Sequence, residues 1–529
     1  MSTQLPITVS PLDGPELFIG IVGPLGTDLA AACSELTRAL AGVGYETREV
    51  RMSQLLRSVQ DLEERLSRES WFEDERVEAF MKAGDGYRRR ARSGAAIVHL
   101  AIAFVRDLRK DATGSPTKPL RRTAYIFNSL KHPDEVKELR RVYGSQFFAI
   151  SFYQPRSRRI EELCRRIERS RGGRCEGLPE RAVDLIDTDA QAGDRAFGQS
   201  VGDAFPLADL FARAEDGRGA LTRDVDRCVR VLFSDPFCTP TRNEYCMFLA
   251  RAAALRSADL SRQVGAVIAN DRGDVVASGC NEVPRPGGGN YWPDDDPDRR
   301  DFRLGKDPNA LMKRELVQEM LGVLATHGWL REDKAERGAA ELAADALEDA
   351  LFEGPRVDNV IEFGRVVHAE MNALMDAVRR GVSVAGHSLY CTTFPCHLCA
   401  RHIIAAGVKR VVFIEPYPKS LVKQLYSDAV ALEGEPADEG AVSFEPFVGV
   451  APRTYMALFA RGRRKDPAGY AYEWSPTSAQ PHVSAYYESY LDIEQRLCDS
   501  LAKVAASLGL PSEQLDLPGV DLVAEREGR

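Results

Sequence analysis

At 529 residues, with 44% hydrophobic and 28% charged side chains and a formal net charge of −9, the chain holds material for roughly three domains, or more simply two domains with insertions. It is too acidic for broad nonspecific nucleic-acid binding. Its 11 cysteines follow no regular framework, which fits reduced thiols and argues against a disulfide-stapled secreted domain. Residues 1–18 show no basic start leading into an apolar core, and the longest apolar run, around Ala95 to Val105, is too short to span a bilayer. A cytoplasmic protein with no membrane partner is therefore expected.

Leu17 to Val22 reads as a buried strand ending in Gly23-Pro24-Leu25-Gly26-Thr27-Asp28, and a helical pattern follows through Leu29, Cys33, Leu36 and Leu40. Strand, glycine-rich turn and helix N-terminus is the layout that cradles phosphate on backbone N–H groups, which makes Gly23, Gly26 and Thr27 candidate nucleotide-binding residues. The stretch resembles the P-loop of nucleoside and nucleotide kinases, with one departure: Thr27 follows Gly26 where G-x-x-x-x-G-K-[ST] has lysine. Lacking that clamp on a transferring phosphoryl group, the loop is expected to bind or sense a regulatory nucleotide rather than turn it over. A glycine turn that binds nothing is the plainer alternative.

Thr123 to Phe127 and Phe147 to Phe152 read as strands with the helix Val136 to Tyr143 between them, an alternation that argues for a parallel sheet covered on both faces. Arg156, Arg158 and Arg159 fall just past a strand's carboxyl end and read either as a phosphate clamp or as a solvated charge run. Arg88-Arg89-Arg90 and Arg121-Arg122 read as solvated faces, with phosphate contacts as the alternative, and His99 reads as a core residue. From Glu176 to Asp226 the chain is rich in Asp, Gly and Ala and reads as a linker with helical pieces such as Ala208 to Ala214. Residues 1–215 are expected to form an N-terminal P-loop-like parallel α/β domain with this linker.

The second domain is expected over 216–465, its ordered part beginning near Pro236. Thr241 and Glu244 form a capping box ahead of a helix through Tyr245, Phe248, Leu249, Ala252 and Leu255. Val264 to Ala269, the turn Asn270-Asp271-Arg272-Gly273 and Val275 to Ser278 read as a hairpin, followed by Gly279-Cys280-Asn281-Glu282. An insertion, 284–360, opens on a glycine-rich run ending in Tyr291-Trp292. It continues with a helix capped by Asp307-Pro308, whose Val317, Met320, Leu321 and Leu324 form an apolar stripe, and a second helix, Ala339 to Phe352. Its length and its place before the next motif suggest a lid or effector site.

That motif is His368-Ala369-Glu370 and, after a helix and a strand (Ser388 to Thr392), Pro395-Cys396-His397-Leu398-Cys399. It matches the H-x-E…P-C-x-x-C signature of zinc nucleobase deaminases. A catalytic zinc wants three protein ligands and an open position for water, and His368, Cys396 and Cys399 supply those three. Both cysteines fall on the first turn of the helix Cys396 to Ala406, where unpaired N–H groups and the helix dipole favour thiolate. Glu370 is placed to carry a proton from the attacking water to the ring nitrogen and then to the leaving amine. A structural zinc knuckle would need a fourth donor. His397 is expected to turn away from the metal and His402 to pack or be solvated. A tail, 466–529, carries a Tyr-rich stretch and an amphipathic helix, Ala485 to Leu508, after a short helix near Pro452.

Helix, hairpin, metal-bearing helix, strand, helix and the strand Arg410 to Ile414 follow the order of the cytidine deaminase fold, an α/β/α sandwich. Through Ser261-Arg262-Gln263-Val264-Gly265-Ala266-Val267, Gly279-Cys280-Asn281 and the zinc motif the chain resembles the deoxycytidylate deaminases. The resemblance implies that Asn281 binds the sugar hydroxyl, that Ser261 and Arg262 approach the 5′ phosphate, and that Tyr417 packs on the sugar or base with Lys419 reaching outer phosphates. Arg262 paired with an acidic neighbour is the alternative. The union of a degenerate kinase-like domain with such a deaminase resembles the two-domain bacterial anti-phage dCTP deaminases. That implies deamination of dCTP and dCMP to dUTP and dUMP, restraint of activity until infection by the N-terminal domain or a small RNA, and a homo-oligomer. The alternatives are a deaminase of cytosine or adenine in single-stranded nucleic acid, which the acidic balance opposes, and a housekeeping dCMP deaminase.

Overall fold

The computed structural model describes residues 14–59, 62, 66, 72–173, 176–192, 196–214, 219–348, 363–417, 420–432, 439–460, 464–482, 494–495 and 498. Its residues divide into two compact units, 1–244 with 448–529 and 245–447. Residues 216–244 and 448–465 thus lie with the first unit, where the sequence boundaries put them with the second. Among the described residues no helix is long and apolar enough to cross a membrane.

The first unit is built on β1 (Leu17–Val22), β2 (Glu46–Arg51), β3 (Thr123–Leu130), β4 (Phe147–Tyr153) and β5 (Leu210–Arg213). They pair in parallel in the order β2-β3-β1-β4-β5, and Gly449–Val450 adds an antiparallel edge beside β5. Every residue of β1 is buried because helices cover both faces of the sheet. Its neighbours lead away to opposite sides, so the carboxyl end of β1 sits at the switch in strand order where α/β folds open a crevice. The helix α1 (Leu29–Gly42) follows, capped by Asp28, whose side chain accepts from the Ala31 N–H at 3.0 Å. Its Cys33, Leu36 and Leu40 are buried against β1, as their spacing predicts.

The remaining helices include α2 (Glu73–Ala91), α3 (Ala96–Thr113), α4 (Pro133–Tyr143), α5 (Arg156–Arg171), α6 (Leu178–Ala190) and α7 (Ala220–Leu232). The expected linker of 176–226 is therefore largely regular structure: α6, β5 and the start of α7. The segment expected to be helical at Ala208 to Ala214 is mostly strand, because pairing with Ile150–Tyr153 of β4 decides it and four residues are too few to show a period. Arg88 is not on a solvated face. Its guanidinium is buried against Glu135 at 2.8 Å. Arg156 and Arg158 pair with Asp187 and Glu161, and Arg159 bonds the carbonyls of Gln154 and Leu25, so the arginine run is committed to protein contacts. His99 is half-buried on α3, 3.2 Å from Glu138.

The second unit carries a mixed sheet of β6 (Gly265–Ala269), β7 (Val275–Cys280), β8 (Ser388–Thr393), β9 (Arg410–Glu415), β10 (Val430–Leu432) and β11 (Val442–Pro446), ordered β10-β11-β9-β8-β6-β7. The hairpin β6–β7 is antiparallel and β8–β9 parallel, as the chain order predicts. The capping box forms, with the Thr241 N–H donating to Glu244 at 2.6 Å and the Glu244 N–H to Thr241 Oγ1 at 3.2 Å, at the start of α8 (Arg242–Ala254). In the insertion, α9 (Pro308–Thr326) packs on α10 (Ala339–Glu348); Val317 is buried while Met320 is 50% exposed, so the predicted stripe is only partly buried. The second helix ends at Glu348, and its predicted end at Phe352 lies outside the described residues, as do Lys419 and most of the tail helix Ala485 to Leu508. The helix near Pro452 is Tyr455–Phe459.

The helices α11 (Ala369–Arg380) and α12 (His397–Ala405) lie against this sheet through Ala369, Ala373, Ala377, Ala400 and Ile403. Small residues let α11 approach closely, and Gly279 of β7 is a tight point: a Cβ there would lie 2.4 Å from the Ala373 nitrogen and 2.5 Å from the Ala369 carbonyl oxygen. Backbone on both sides cannot give way as a side chain would. Gly279→Ala is expected to destabilise this unit by roughly 1–3 kcal/mol, a fall of several degrees in its thermal midpoint. Gly338→Ala, where a Cβ meets open space, is the matched control and should show no such fall.

Candidate active site

His368 is the residue at which an extended chain turns into α11. Its backbone is extended (φ −63°, ψ 153°), and its carbonyl accepts the Asn372 N–H at 2.8 Å. Cys396 stands at the same place ahead of α12, where its sulfur accepts from the Cys399 N–H at 3.4 Å. Two helix N-termini thus bring His368, Cys396 and Cys399 together. Cys396 Sγ and Cys399 Sγ lie 3.3 and 3.4 Å from His368 Nδ1, and the three donor atoms are all within 4.8 Å of one another. A tetrahedral zinc with bonds of ~2.3 Å to sulfur and ~2.0 Å to nitrogen would hold S and N about 3.5 Å apart, so the triad fits that ion with little adjustment. Among the described residues no fourth His, Cys, Asp or Glu joins the group. Three donors leave a tetrahedral ion one open position, whereas a closed structural site takes four.

The electrostatics agree. A hydrogen bond from Cys399, with the nearby His368, holds the Cys396 thiol well below the usual thiol range. Bonding to Cys396 lifts His368 to about 9, and donation to Cys396 together with burial pushes Cys399 upward. Glu370, in the first turn of α11, is 5% exposed; burial, with Cys396 adding to it, raises its carboxyl to about 7. Since the unbound triad carries protons on His368 and Cys399 at neutral pH, a metal ion must displace both. Binding of Zn2+ at pH 7 is expected to release about two protons per ion, measurable by calorimetry in buffers of different ionisation enthalpy; release of none would contradict this assignment.

The triad opens on a cavity of about 270 Å³ whose wall includes Ser261, Arg262, Asn281, His368, Glu370, Cys396 and Tyr417, so the predicted residues are gathered in one place. Asn281 is mainly a brace: its Oδ1 accepts the Val264 N–H at 2.7 Å and its Nδ2 donates to the Arg262 carbonyl at 2.8 Å. Arg262 is half-exposed, 4.0 Å from Glu415 and 5.9 Å from the Tyr417 ring, a loose pairing that leaves its guanidinium able to turn to a phosphate. His397 and His402 take no part in the donor group; His402 accepts from Arg401 at 3.3 Å.

Several wall residues carry no signal in the sequence. Asp301, Asp307 and Asn309 of the insertion, and Arg365 just before the motif, line the same cavity. Glu282 is another. Its backbone pairs in both directions with Val367, and its buried side chain accepts the Ala258 N–H at 2.9 Å, tying the approach to His368 to the loop that holds Arg262. Asn372, one turn along α11, donates to the Cys280 carbonyl and to Asn290 of the insertion. Only the adjacency of Glu282 to the Asn281 motif hinted at it.

In the first unit, Gly26 and Thr27 line a separate cavity of about 870 Å³ at the carboxyl end of β1, while Gly23 gives its carbonyl to Lys131 Nζ at 3.0 Å.

The second unit is of the cytidine deaminase-like class, a mixed sheet with the metal donors at two helix N-termini. Residues 240–415 match the model of the cytidine and deoxycytidylate deaminase zinc-binding region. A probable deoxycytidylate deaminase of Drosophila melanogaster is 28% identical over 172 residues, 32% of this chain and 58% of that protein. The deoxycytidylate deaminase of Mus musculus is 28% identical over 171 residues, 32% of this chain and 63% of that protein, and that of Enterobacteria phage T4 is 43% identical over 54 residues, 10% and 28%. The chain therefore spans less than two thirds of the length of each of these relatives. A dCMP deaminase from the cyanophage S-TIM5, solved with dCMP and dUMP, aligns over 40% of this chain and 98% of its own at 20% identity with a TM-score of 0.22.

Proposed function

We propose that the chain hydrolyses the amino group from deoxycytidine nucleotides, converting dCMP and dCTP to dUMP and dUTP. The observation that carries this reading is the three-donor group beside a buried Glu370, opening on one cavity with Arg262 and Asn281. A zinc ion held by His368, Cys396 and Cys399 would supply a water acidic enough to attack near neutral pH. Glu370 takes a proton from the attacking water and passes it to the ring nitrogen; it then takes the proton of the new C4 hydroxyl and delivers it to the amino group, so that the C4–N bond breaks, the C4 carbonyl forms and ammonia leaves. Arg262 and Ser261 hold the 5′ phosphate, Asn281 fixes the loop and meets the sugar hydroxyl, and Tyr417 packs on the sugar or base.

In this reading the enzyme drains the deoxycytidine nucleotide pool of an infecting phage, as a homo-oligomer held in check until infection by a nucleotide sensed at the N-terminal unit or by a small RNA. Deamination inside a nucleic-acid strand is disfavoured by Asp259, Asp301 and Asp307 in the cavity wall, which oppose a polyanionic backbone. The test follows uracil products from free dCMP, dCTP and deoxycytidine and from a cytosine-containing oligonucleotide. Free nucleotides should be consumed and the oligonucleotide spared. Arg262→Ala is expected to cost about tenfold or more in kcat/KM for dCMP while leaving deoxycytidine unaffected, and equal losses on both would refute the phosphate role.

A further inference from the structure

The glycine-rich loop of the first unit is already occupied by an anion of the protein's own. The Leu25 N–H donates to Asp189 Oδ2 at 2.7 Å, and Lys131 Nζ, reaching from the carboxyl end of β3, lies 2.9 Å from Asp189 Oδ1. Asp189 belongs to the last turn of α6 and is 1% exposed. A carboxylate between a loop N–H and a lysine ammonium stands where the oxygens of a bound phosphate would stand. The helix N-terminus beside it is closed to anions by Asp28, which caps α1 and whose own N–H donates to Gln154 at 3.1 Å. The ammonium missing from position 27 is thus supplied from another strand, and its charge is balanced internally.

Two further groups point to a ligand in the 870 Å³ cavity that this seat adjoins. Thr27 Oγ1 and Gln199 Oε1 line it, belong to residues 7% and 8% exposed, and make no hydrogen bond among the described residues. Such groups are costly to bury without a partner, and two facing one cavity beside a cation are the marks of a binding site. The cavity wall also includes the apolar side chains of Met52, Leu56 and Phe80.

We propose that this cavity binds a nucleotide whose phosphate displaces the Asp189 carboxylate from Lys131 and the Leu25 N–H, with Thr27 and Gln199 completing the contacts. This rests on the reading of the N-terminal unit as a nucleotide sensor and names its device: Asp189 is a resident competitor, so ligand binding must release the end of α6. The structure places the seat at Leu25, Lys131 and Asp189 rather than at the helix terminus that the loop pattern alone would suggest.

The test measures binding of ATP, GTP and inorganic pyrophosphate to the full chain by calorimetry, so that cytosine nucleotides do not report on the deaminase site. Asp189→Asn, which keeps the shape and removes the charge, is expected to tighten binding on the order of tenfold, and Lys131→Met to abolish it. Should either variant fail to fold, Thr27→Ala, which breaks no existing bond, is expected to weaken binding severalfold. No binding of any probe to the unaltered protein or to Asp189→Asn would refute the sensor reading itself. Binding that Asp189→Asn leaves unchanged or weakens, or that survives Lys131→Met, would refute the displaced-carboxylate seat while leaving the sensor reading standing.

Discussion

Replacing Glu370 by Gln is expected to lower kcat for deoxycytidine nucleotides by about 10²–10⁴ with no loss of bound zinc. The side chain is nearly enclosed, shares the cavity with the donor triad, and is not one of the three donors, so the amide keeps the shape and removes only proton transfer. A second consequence has the opposite sign. A carboxyl raised from 4.5 to about 7 by burial binds a proton in the folded chain that the unfolded chain releases, so its contribution to stability is full below pH 4.5 and is lost as pH rises through 7. The metal-free Gln variant should therefore be at least as stable as the unaltered protein above pH 7, measured by denaturant unfolding. A variant that is inactive, unstable and zinc-depleted together would reduce Glu370 to a packing residue.

Replacing Cys399 by Ala is expected to remove both zinc and activity: dialysed protein should hold far less than one ion per chain by mass spectrometry, and turnover should fall below detection. The argument is one of count. With three donors and no fourth within reach among the described residues, losing one leaves a two-ligand site that cannot retain the ion. His397→Ala, next in the chain but outside the donor group, should keep both. The ion would also be lost as pH falls, since protons return to His368 and Cys399. Full zinc content in Cys399→Ala would show that the metal sits elsewhere.

What the sequence disclosed follows from how local each signal is. The turn from β1 into α1, the β6–β7 hairpin and the donors at the starts of α11 and α12 are written in adjacent residues, by punctuation at Gly23 and Gly273 and by the spacing of Cys396 and Cys399. The strand β5 was misread because four residues show no period and its state depends on β4, which lies far off in sequence. The contributions of Asp301, Asp307, Glu282 and Lys131 were hidden for the same reason: each acts on a site made by other elements, and no spacing records which elements will meet. The solvated reading of Arg88 failed because its partner, Glu135, comes from another helix.

The most direct test of the central claim is a zinc titration of chelated, metal-free protein with dCMP as substrate, following dUMP and ammonia. The account predicts no product without metal and activity that rises linearly with added Zn2+ to a plateau at one ion per chain. Product formed in the presence of chelator, or a site filled by zinc with no deamination of any cytosine nucleotide, would contradict it.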